Sequence, residues 1–412
     1  MLAQCPVHKD FHPLSADFLA DPYPVFASLR EEGPVVYAPK IGMYVVSRYA
    51  DVVRVIEDRD TYSSANATSP FMPVCAEAQA ILTSGFPRKP TFTNCDPPRH
   101  PRMRNAASRC LTPKRWAKTQ PAIEACAEAL VDALAAKPFS DIMADLAFPL
   151  PALAGFSVIG FPQGDTELLK GWCGRRVALT YGDLDPAGQV QAAHDLVAFF
   201  DYCRDFVERR RREPADDLTS DLLQLAAEKP DLLEVDDIVS MVYSISLAGH
   251  ETTTAAILDG LQALLPNRPH WNALCADPSL IPGAVEEMLR INCPTQGIRR
   301  ITTCDTEIDG VPIPKGSTMF LLLASANKDA ETFADPDVFD PKRPNAREHL
   351  AFGRAWHLCL GAPLARIELQ LVFEHLTRKT PRMSLVEDQQ FHFPGNVLIR
   401  APERLLVHPN GA

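Results

Sequence analysis

The chain has 412 residues, 46% hydrophobic and 23% charged, which is typical of a globular protein with a large core. Its formal net charge of −11 argues against nucleic acid as a partner. Eleven cysteines, an odd number in a chain of this length, argue against a disulfide-stapled scaffold, so we expect reduced thiols in a cytoplasmic protein. The polar first 20 residues resemble neither a signal peptide nor a membrane anchor.

The predicted elements of the first half are mostly helical. Residues 1–20 are expected to form a flexible N-terminus, followed by a short helix over residues 21–32. Short strands are predicted at residues 35–37 and 43–46. Residues 63–95, rich in Ser, Thr, Pro and Asn, are predicted to be a long loop, and loops of that length inside a domain are usually functional.

The second half mixes helices with short strands. Helical periodicity runs from residue 98 to about 232, and a long apolar helix is predicted from 235 to about 265. Three short strands are predicted after it, and a helix begins near residue 364; the strands lie at residues 306–308, 318–323 and 397–400. No linker or repeat divides the chain, so we predict one mainly α domain with a minor β-sheet over residues 21–412.

A cysteine near the C-terminus carries the strongest chemical signal. Cys359 lies in a loop with Gly353 and Gly361, directly before a predicted helix. The positive end of the helix dipole and its free N–H groups stabilise a thiolate at such a position. Glycines let the backbone approach a flat partner closely. A lone cysteine is more commonly a buried structural residue, so the surrounding pattern has to decide.

The loop resembles the haem-binding loop of the cytochrome P450 family, Phe-Gly-x-Gly-x-His/Arg-x-Cys-x-Gly, in which the cysteine is the axial thiolate of haem b. Ala355 replaces the second glycine and Trp356 follows it, so we expect a reshaped loop that still holds haem. Five positions match the pattern: Phe352, Gly353, His357, Cys359 and Gly361.

The predicted long helix carries an unusual polar segment, AGHETT, at residues 248–253. By itself this indicates a locally distorted core helix, since threonine can bond back to the helix backbone. The segment resembles the oxygen-activating segment of the family. The resemblance implies that Ala248 and Gly249 make room for O2, that Thr252 donates a hydrogen bond to the activated oxygen, and that Glu251 relays protons.

An acid and an arginine three residues apart, Glu287 and Arg290, are a weak signal alone, because such helical pairs contribute only about 0.2–0.5 kcal/mol. In this position they resemble the Glu-x-x-Arg pair of the family, which is structural and is expected to bind Arg343. Glu286 is the competing acid, and the spacing to Arg290 selects Glu287.

A dianionic cofactor requires buried partners for its propionates. Residues 96–104 resemble the Asp-Pro-Pro-x-His-x-x-x-Arg pattern of the family, which implies that His100 and Arg104 bind a propionate. The resemblance adds Arg300 and His357 to this set. Arg299 is an open alternative to Arg300, and each of these residues could instead be an ordinary surface cation.

The resemblance extends from residue 21 to about 408 and implies a bacterial-type haem-thiolate monooxygenase. Such an enzyme inserts one atom of O2 into a small-to-medium, mainly apolar organic substrate by hydroxylation or O-dealkylation. No flavin, iron–sulfur or nicotinamide segment follows Cys359, so electrons are expected from a separate ferredoxin or flavodoxin with its NAD(P)H-dependent reductase. Candidate docking cations are Arg102, Arg109, Lys114, Arg115 and Arg354.

The substrate pocket is expected to be mainly apolar with a few polar anchors. The resemblance places the loop at residues 63–95 over it and implies these lining residues: Phe71, Met72, Phe86, Leu247, Thr295, Gln296 and Ile298. Three alternatives stay open: a peroxide-dependent enzyme, a haem-thiolate isomerase or dehydratase, and a non-catalytic haem-binding or sensor protein.

Overall fold

The computed structural model describes residues 5–411. These residues form two compact units, each built from segments that lie apart in the sequence. Unit 1 contains the residues up to 63, residues 122–150 and those from 252 onward, and unit 2 contains residues 64–121 and 151–251. The single domain predicted over residues 21–412 stays a prediction.

Helices dominate both units, which confirms the predicted mainly α fold class. The α-helices are α1 (Ala16–Ala20), α2 (Tyr23–Glu32), α3 (Tyr49–Glu57), α4 (Ala76–Gly85), α5 (Arg99–Cys110), α6 (Pro113–Ala135), α7 (Pro149–Ile159), α8 (Thr166–Tyr181), α9 (Pro186–Arg212), α10 (Leu218–Glu228), α11 (Val235–Ala248), α12 (Glu251–Leu264), α13 (Arg268–Ala276), α14 (Ile281–Ile291), α15 (Leu323–Ala326) and α16 (Ala362–Lys379). The strands are β1 (Val36–Ala38), β2 (Met43–Val46), β3 (Tyr62–Ser63), β4 (Ser140–Asp141), β5 (Ile298–Thr302), β6 (Thr306–Ile308), β7 (Val311–Ile313), β8 (Thr318–Leu321), β9 (Ser384–Leu385) and β10 (Leu406–His408).

The sheets of the described residues belong to unit 1. A five-stranded sheet has the order β1-β2-β8-β5-β3, in which β2 and β8 are parallel and the other pairs antiparallel. A three-stranded sheet has the order β4-β10-β9, and β6 and β7 form a hairpin. Its two-residue turn, Asp309-Gly310, has positive φ at both positions, the conformation that matches the twist of a tight hairpin.

The helical part of unit 1 packs α14 and α13 against α16. Gly260 of α12 allows a close approach here, because a Cβ on it would lie 2.9 Å from Met288 Sδ and 2.9 Å from Phe373 Cζ. Trp271 is fully buried, and its indole N–H donates to the Pro381 carbonyl at 2.9 Å. The core of unit 1 therefore lies directly behind α16, the helix that follows Cys359.

Unit 2 is helical, and its largest packing contacts join α4 and α8 to α9. Tyr243 of α11 lies at the centre of an aromatic cluster with Phe86, Phe199 and Phe200, at ring-centroid distances of 4.9–5.8 Å. Gly155 of α7 and Gly249 approach closely, since a Cβ on Gly155 would lie 2.9 Å from the Gly249 carbonyl oxygen. This contact fixes the chain where α11 ends.

Four sequence predictions differ from the structure. Residues 5–20 are not a free tail: Val7 bridges to Tyr37, and Phe11 and Phe18 are buried; residues 1–4 lie outside the described part. The predicted loop at residues 63–95 contains α4, because its alanine-rich segment favours a helix despite polar flanks. The long helix predicted from 235 is interrupted at residues 249–250. Residues 397–400 form only an isolated bridge between Ile399 and Thr295.

Candidate functional site

The loop before α16 presents the Cys359 thiol. The Gly353 N–H donates to the Leu350 carbonyl at 2.8 Å and closes a tight turn, and the Cys359 N–H donates to the Phe352 carbonyl at 2.8 Å and closes the loop between them. Gly353 has φ +66, which a glycine adopts without strain. Cys359 is exposed, and α16 begins three residues later, at Ala362. The thiol therefore lies beside the positive end of a five-turn helix.

Ala355 adopts the left-handed conformation that the glycine of the family pattern would supply. Its φ is +52, which costs about 1–2 kcal/mol for a non-glycine residue. The next side chain, Trp356, is 45% exposed and lies under the Arg59 guanidinium, 3.6 Å from the ring centroid. Such a cation–π contact contributes about 0.5–1 kcal/mol at an exposed site. The substitution therefore keeps the shape of the loop, and the Arg59–Trp356 contact offsets part of the strain.

The arrangement around Cys359 fits a haem iron ligand. Among the eleven cysteines, all of which lie in the described range, only Cys304 and Cys359 are exposed. Cys304 lies in the turn between β5 and β6, with no helix following it. Cys359 alone combines exposure with a helix N-terminus, the environment that favours a thiolate.

Glu286 connects α14 to both sides of the Cys359 loop. It accepts hydrogen bonds from Arg366 at 2.6 and 2.9 Å, and it lies 3.2 Å from His349 Nε2. Burial alone would raise the pKa of Glu286, but the hydrogen bonds from His349 and Arg366 outweigh it and lower the pKa to about 2. Sequence reasoning treated Glu286 only as a rival of Glu287 and missed this role, because no local pattern connects residues 286, 349 and 366.

Glu287 and Arg290 form a buried ion pair. Arg290 Nε and Nη2 each donate to a Glu287 oxygen at 2.7 Å, and Arg343 Nε donates to Glu287 at 2.9 Å. Arg290 also donates to the carbonyls of Asn327 and Pro336. Glu287 and Arg290 are fully buried, and Glu287 contacts both arginines. Every charge in this cluster of three side chains therefore has an opposite charge in contact, as buried charges require.

The AGHETT segment lies at the interruption between α11 and α12. His250 is fully buried, with Nδ1 2.7 Å from the Ser246 carbonyl oxygen and Nε2 3.0 Å from Glu251 Oε1. A carbonyl oxygen only accepts, so Nδ1 carries a proton. The contact between Nε2 and Oε1 then holds one further proton, which belongs either to an imidazolium or to a carboxylic acid. Sequence reasoning missed His250, although its position beside Glu251 was the available signal.

A lysine completes this polar group in unit 2. Burial raises the pKa of Glu251, but the hydrogen bond to His250 and the charges of His250 and Lys170 outweigh it, so the pKa of Glu251 is lowered. Burial lowers the pKa of Lys170 to about 8, and the Glu251 charge opposes that shift. Thr252 follows as the second residue of α12, in unit 1.

The predicted propionate ligands are distributed over both units. His100 and Arg104 lie on one face of α5 in unit 2, with His100 buried and Arg104 partly buried. Arg299 and Arg300 are adjacent on β5 in unit 1 and both are buried, so burial does not choose between them. His357 lies in the turn before Cys359 and is partly buried.

The predicted pocket residues also divide between the units. Phe71, Met72, Phe86 and Leu247 belong to unit 2; Phe71 and Leu247 are buried, and the Phe71 N–H donates to the Thr180 carbonyl at 2.8 Å. Thr295, Gln296 and Ile298 belong to unit 1. Gln296 lines a cavity of about 10 Å³; its Nε2 donates to the Cys293 carbonyl, whereas its buried Oε1 has no hydrogen-bond partner.

Most of the predicted docking cations already have partners. Arg102 contacts Asp237 at 3.1 Å, Arg115 contacts Asp221 at 2.5 Å, and Arg354 contacts Glu57 at 2.8 Å. The Arg109 Nε donates to Asn105 at 2.8 Å.

Comparisons with known proteins agree on one family. The family model "Cytochrome P450" matches residues 277–380. The cytochrome P450 monooxygenase PikC of Streptomyces venezuelae is 35% identical over 97% of this chain and 93% of its own length. Erythromycin C-12 hydroxylase of Saccharopolyspora erythraea is 33% identical over 88% of each chain.

Solved structures extend this likeness to the fold. The structure of cytochrome P450 CREJ in complex with (4-ethylphenyl) dihydrogen phosphate is 35% identical, with a TM-score of 0.93 over 97% of this chain and 99% of that chain. Full-length CYP116B46 from Tepidiphilus thermophilus is 32% identical, with a TM-score of 0.94. The match covers 98% of this chain and 54% of the CYP116B46 chain. Within residues 5–411, no helix is long and apolar enough to cross a membrane.

Proposed function

Because the chain belongs to the cytochrome P450 family and is a haem-thiolate monooxygenase, we propose that Cys359 is the axial ligand of its haem b. The observation that carries this assignment is the exposed Cys359 thiol at the N-terminus of α16. When bound, the haem activates O2 with two electrons and two protons and transfers one oxygen atom to the substrate. The non-catalytic haem-binding alternative is not favoured, since relatives matched over nearly the whole chain are monooxygenases.

The protein side of this chemistry begins with the thiolate. The dipole of α16 favours the ionised form of Cys359, and the hydrogen bond from the Cys359 N–H to the Phe352 carbonyl fixes the backbone that carries the thiol. The Glu286 bonds to His349 and Arg366 hold the loop on both sides. For the propionates we propose the cations His100, Arg104, Arg300 and His357, with Arg299 as the alternative to Arg300.

We propose that proton delivery starts at the contact between His250 and Glu251. The proton shared by His250 Nε2 and Glu251 Oε1 can leave through the carboxylate, and Lys170 keeps that carboxylate ionised afterwards. Thr252 would pass the proton on through its hydroxyl group. Replacing Thr252 with Ala should divert reducing equivalents to hydrogen peroxide while haem binding is kept; unchanged coupling of NAD(P)H use to product would remove Thr252 from this path.

For the substrate we propose a small-to-medium organic molecule that is hydroxylated or O-dealkylated. The relatives named above indicate which compounds to test first: a macrolide, as for erythromycin C-12 hydroxylase, and an alkylphenyl phosphate, as in the CREJ complex. Binding is read from the change in haem spin state.

We propose that electrons come from a separate ferredoxin or flavodoxin with its NAD(P)H-dependent reductase. Arg354 and the exposed side chains of Trp356 and Leu358 lie within five residues of Cys359 in the same loop and are the first docking candidates. Arg354→Ala should weaken binding of the redox protein and reduce its salt dependence. If both are unchanged, the docking surface lies elsewhere.

The experiment that tests the assignment is the carbon monoxide difference spectrum of the dithionite-reduced protein. A strongly red-shifted Soret band is expected for the wild type and is expected to be lost in Cys359→Ser. Cys304→Ser is the matched control, because Cys304 is the other exposed cysteine and lacks a helix behind it. Retention of the red-shifted band in Cys359→Ser would exclude Cys359 as the ligand.

A further inference from the structure

Two arginines of unit 2, Arg88 and Arg176, have no acidic partner. Arg176 of α8 is 6% exposed, and Arg88, three residues after α4, is partly buried. Within the described part of the chain, no carboxylate forms an ion pair with either guanidinium. Arg88 Nη2 donates to Thr68 Oγ1 at 3.1 Å, and Arg176 Nη1 donates to the Tyr243 carbonyl at 2.9 Å. Since a guanidinium has five N–H donors, most donors of this pair are uncommitted to protein.

Four other enclosed arginines of unit 2 each contact a carboxylate. Arg99 and Arg102 both contact the fully buried Asp237, at 2.5 and 3.1 Å. Arg115 contacts Asp221, and Arg210 contacts Asp217, each at 2.5 Å. An enclosed cation normally has a counter-charge, because desolvation without one is strongly unfavourable.

The two unpaired cations act on each other. Burial lowers the pKa of Arg88, and the positive charge of Arg176 lowers it further. Two like charges in one desolvated region indicate a missing anion rather than an arrangement that stabilises the fold.

Tyr243 of α11 provides a third donor close to both cations. The Tyr243 side chain is 1% exposed, and its hydroxyl group has no hydrogen-bond partner in the structure. The Arg176 guanidinium lies 4.3 Å from the Tyr243 ring centroid. Burial raises the pKa of Tyr243 to about 12, although Arg176 and Arg88 oppose the shift, so the hydroxyl keeps its proton at neutral pH. A buried O–H donor without an acceptor needs a reason of its own.

We propose that Arg88, Arg176 and Tyr243 bind an oxyanion, a carboxylate or a phosphate monoester, carried by the substrate. This inference rests on the proposed function and assigns a substrate class to it. Two guanidinium groups and a hydroxyl provide the charge-assisted donors that such a group requires. The predicted mainly apolar substrate becomes an organic acid with an apolar body.

The surrounding residues fit that body. Phe86, one of the predicted pocket residues, packs its ring edge-on against Tyr243 at 5.1 Å. Leu247 lies one turn beyond Tyr243 on α11, and Phe71 bonds to Thr180 near the end of α8, the helix that carries Arg176. Aromatic and aliphatic side chains therefore adjoin the cations on the same elements.

The test compares ligands that differ only in charge. Isothermal titration of the haem-loaded protein measures binding of 4-ethylphenyl phosphate, 4-ethylbenzoate and the neutral 4-ethylphenol. At least one anion is expected to bind more than about tenfold more tightly than the phenol, since hydrogen bonds to charged groups contribute this much. Whichever of the two anions binds more tightly shows whether the site prefers a phosphate or a carboxylate. Thermal unfolding with inorganic phosphate provides a readout that needs no organic body.

Arg88→Met and Arg176→Met are each expected to remove the preference for the anion. Arg175→Met is the matched control, because Arg175 precedes Arg176 on α8 but is exposed and contacts Asp195. If Arg176→Met does not fold, Arg88→Met and Tyr243→Phe still test the proposal. Tyr243→Phe should lower the affinity for the two anions and leave the affinity for the phenol unchanged.

Two results would overturn the proposal. One is that neither anion binds more tightly than the phenol and inorganic phosphate does not stabilise the protein. The other is that Arg175→Met weakens the anions as much as Arg88→Met does. Either result combined with a normal carbon monoxide spectrum refutes the anion site alone, whereas a spectrum without the red-shifted band refutes the Cys359 assignment instead.

Discussion

Two groups of enclosed arginines differ in what neutralises them. In unit 1, Arg290 and Arg343 share the carboxylate of Glu287, and carbonyl oxygens accept the remaining bonds of Arg290. In unit 2, Arg88 and Arg176 contact a hydroxyl and a carbonyl oxygen but no acid. The charges of the first group are neutralised without a ligand, so we expect this group to stabilise the fold. The second is complete only when an anion is present, so the same residue type serves structure in one unit and recognition in the other.

The largest effect is expected from breaking the complete group. Arg290→Met leaves Glu287 buried with one cation instead of two, and removing one partner of a buried pair costs about 3–5 kcal/mol. Urea unfolding measures this loss. Arg211→Met is the control, because Arg211 contacts Glu208 at the exposed end of α9 and should change the free energy of unfolding by under about 0.5 kcal/mol. A loss below about 1 kcal/mol for Arg290→Met would mean that the pair is not structural.

A second effect of structural pairing should appear at low pH. The pKa of Glu286 is about 2 when folded and about 4.3 when unfolded, so its ion pairs stabilise the protein above pH 4. This contribution, about 2–3 kcal/mol, is lost as the pH falls from about 4 to 2. In Glu286→Gln that part of the pH dependence should vanish. Identical slopes of unfolding free energy against pH for both proteins would contradict the assignment.

Adding an acidic partner to Arg88 should weaken binding of the anionic ligand. Thr68→Asp places a carboxylate where the Thr68 hydroxyl now accepts from Arg88, so the anionic ligand should lose about tenfold or more in affinity. Thr68→Asn is the control, since it has a similar shape without charge and should retain most of the affinity. Equal titration curves for the two variants would show that Arg88 is not a ligand of the anion.

The smallest effect should come from removing an unpaired cation. Arg176→Met loses the hydrogen bond to the Tyr243 carbonyl and the contact with the Tyr243 ring, but it also removes a charge without a counter-charge, so the free energy of unfolding should change by less than about 1 kcal/mol or rise. The same urea assay measures it, without added anions. A loss as large as that of Arg290→Met would indicate a structural role.

The predictability of these features follows the distance between their parts in the sequence. The loop around Cys359 is a local pattern, and the sequence predicts it. Pattern alone missed α4, because its loop-like flanks outweigh a short helical segment. The contact of Gly155 with Gly249, which accompanies the break between α11 and α12, joins residues far apart in the chain.

The site shows the same division. The spacing of Glu287 and Arg290 on one helix predicts their pairing, but the bonds of Glu286 to His349 and Arg366 join three separate segments. No sequence pattern marks Arg88 and Arg176 as unpaired, because a missing acid is visible only once the neighbours of each guanidinium are known. Absence of a partner is a property of the folded chain.

The contact between Arg59 and Trp356 also makes the haem loop optically accessible. Trp116 and Trp271 are buried and Trp172 is partly buried, whereas Trp356 is nearly half exposed and lies three residues before Cys359. An indole in that position emits at longer wavelength than a buried one, and a haem whose iron is held by Cys359 would quench it by energy transfer. Tryptophan fluorescence should therefore follow cofactor loading in real time, and Trp356→Phe measures the part of the signal that comes from the other three indoles.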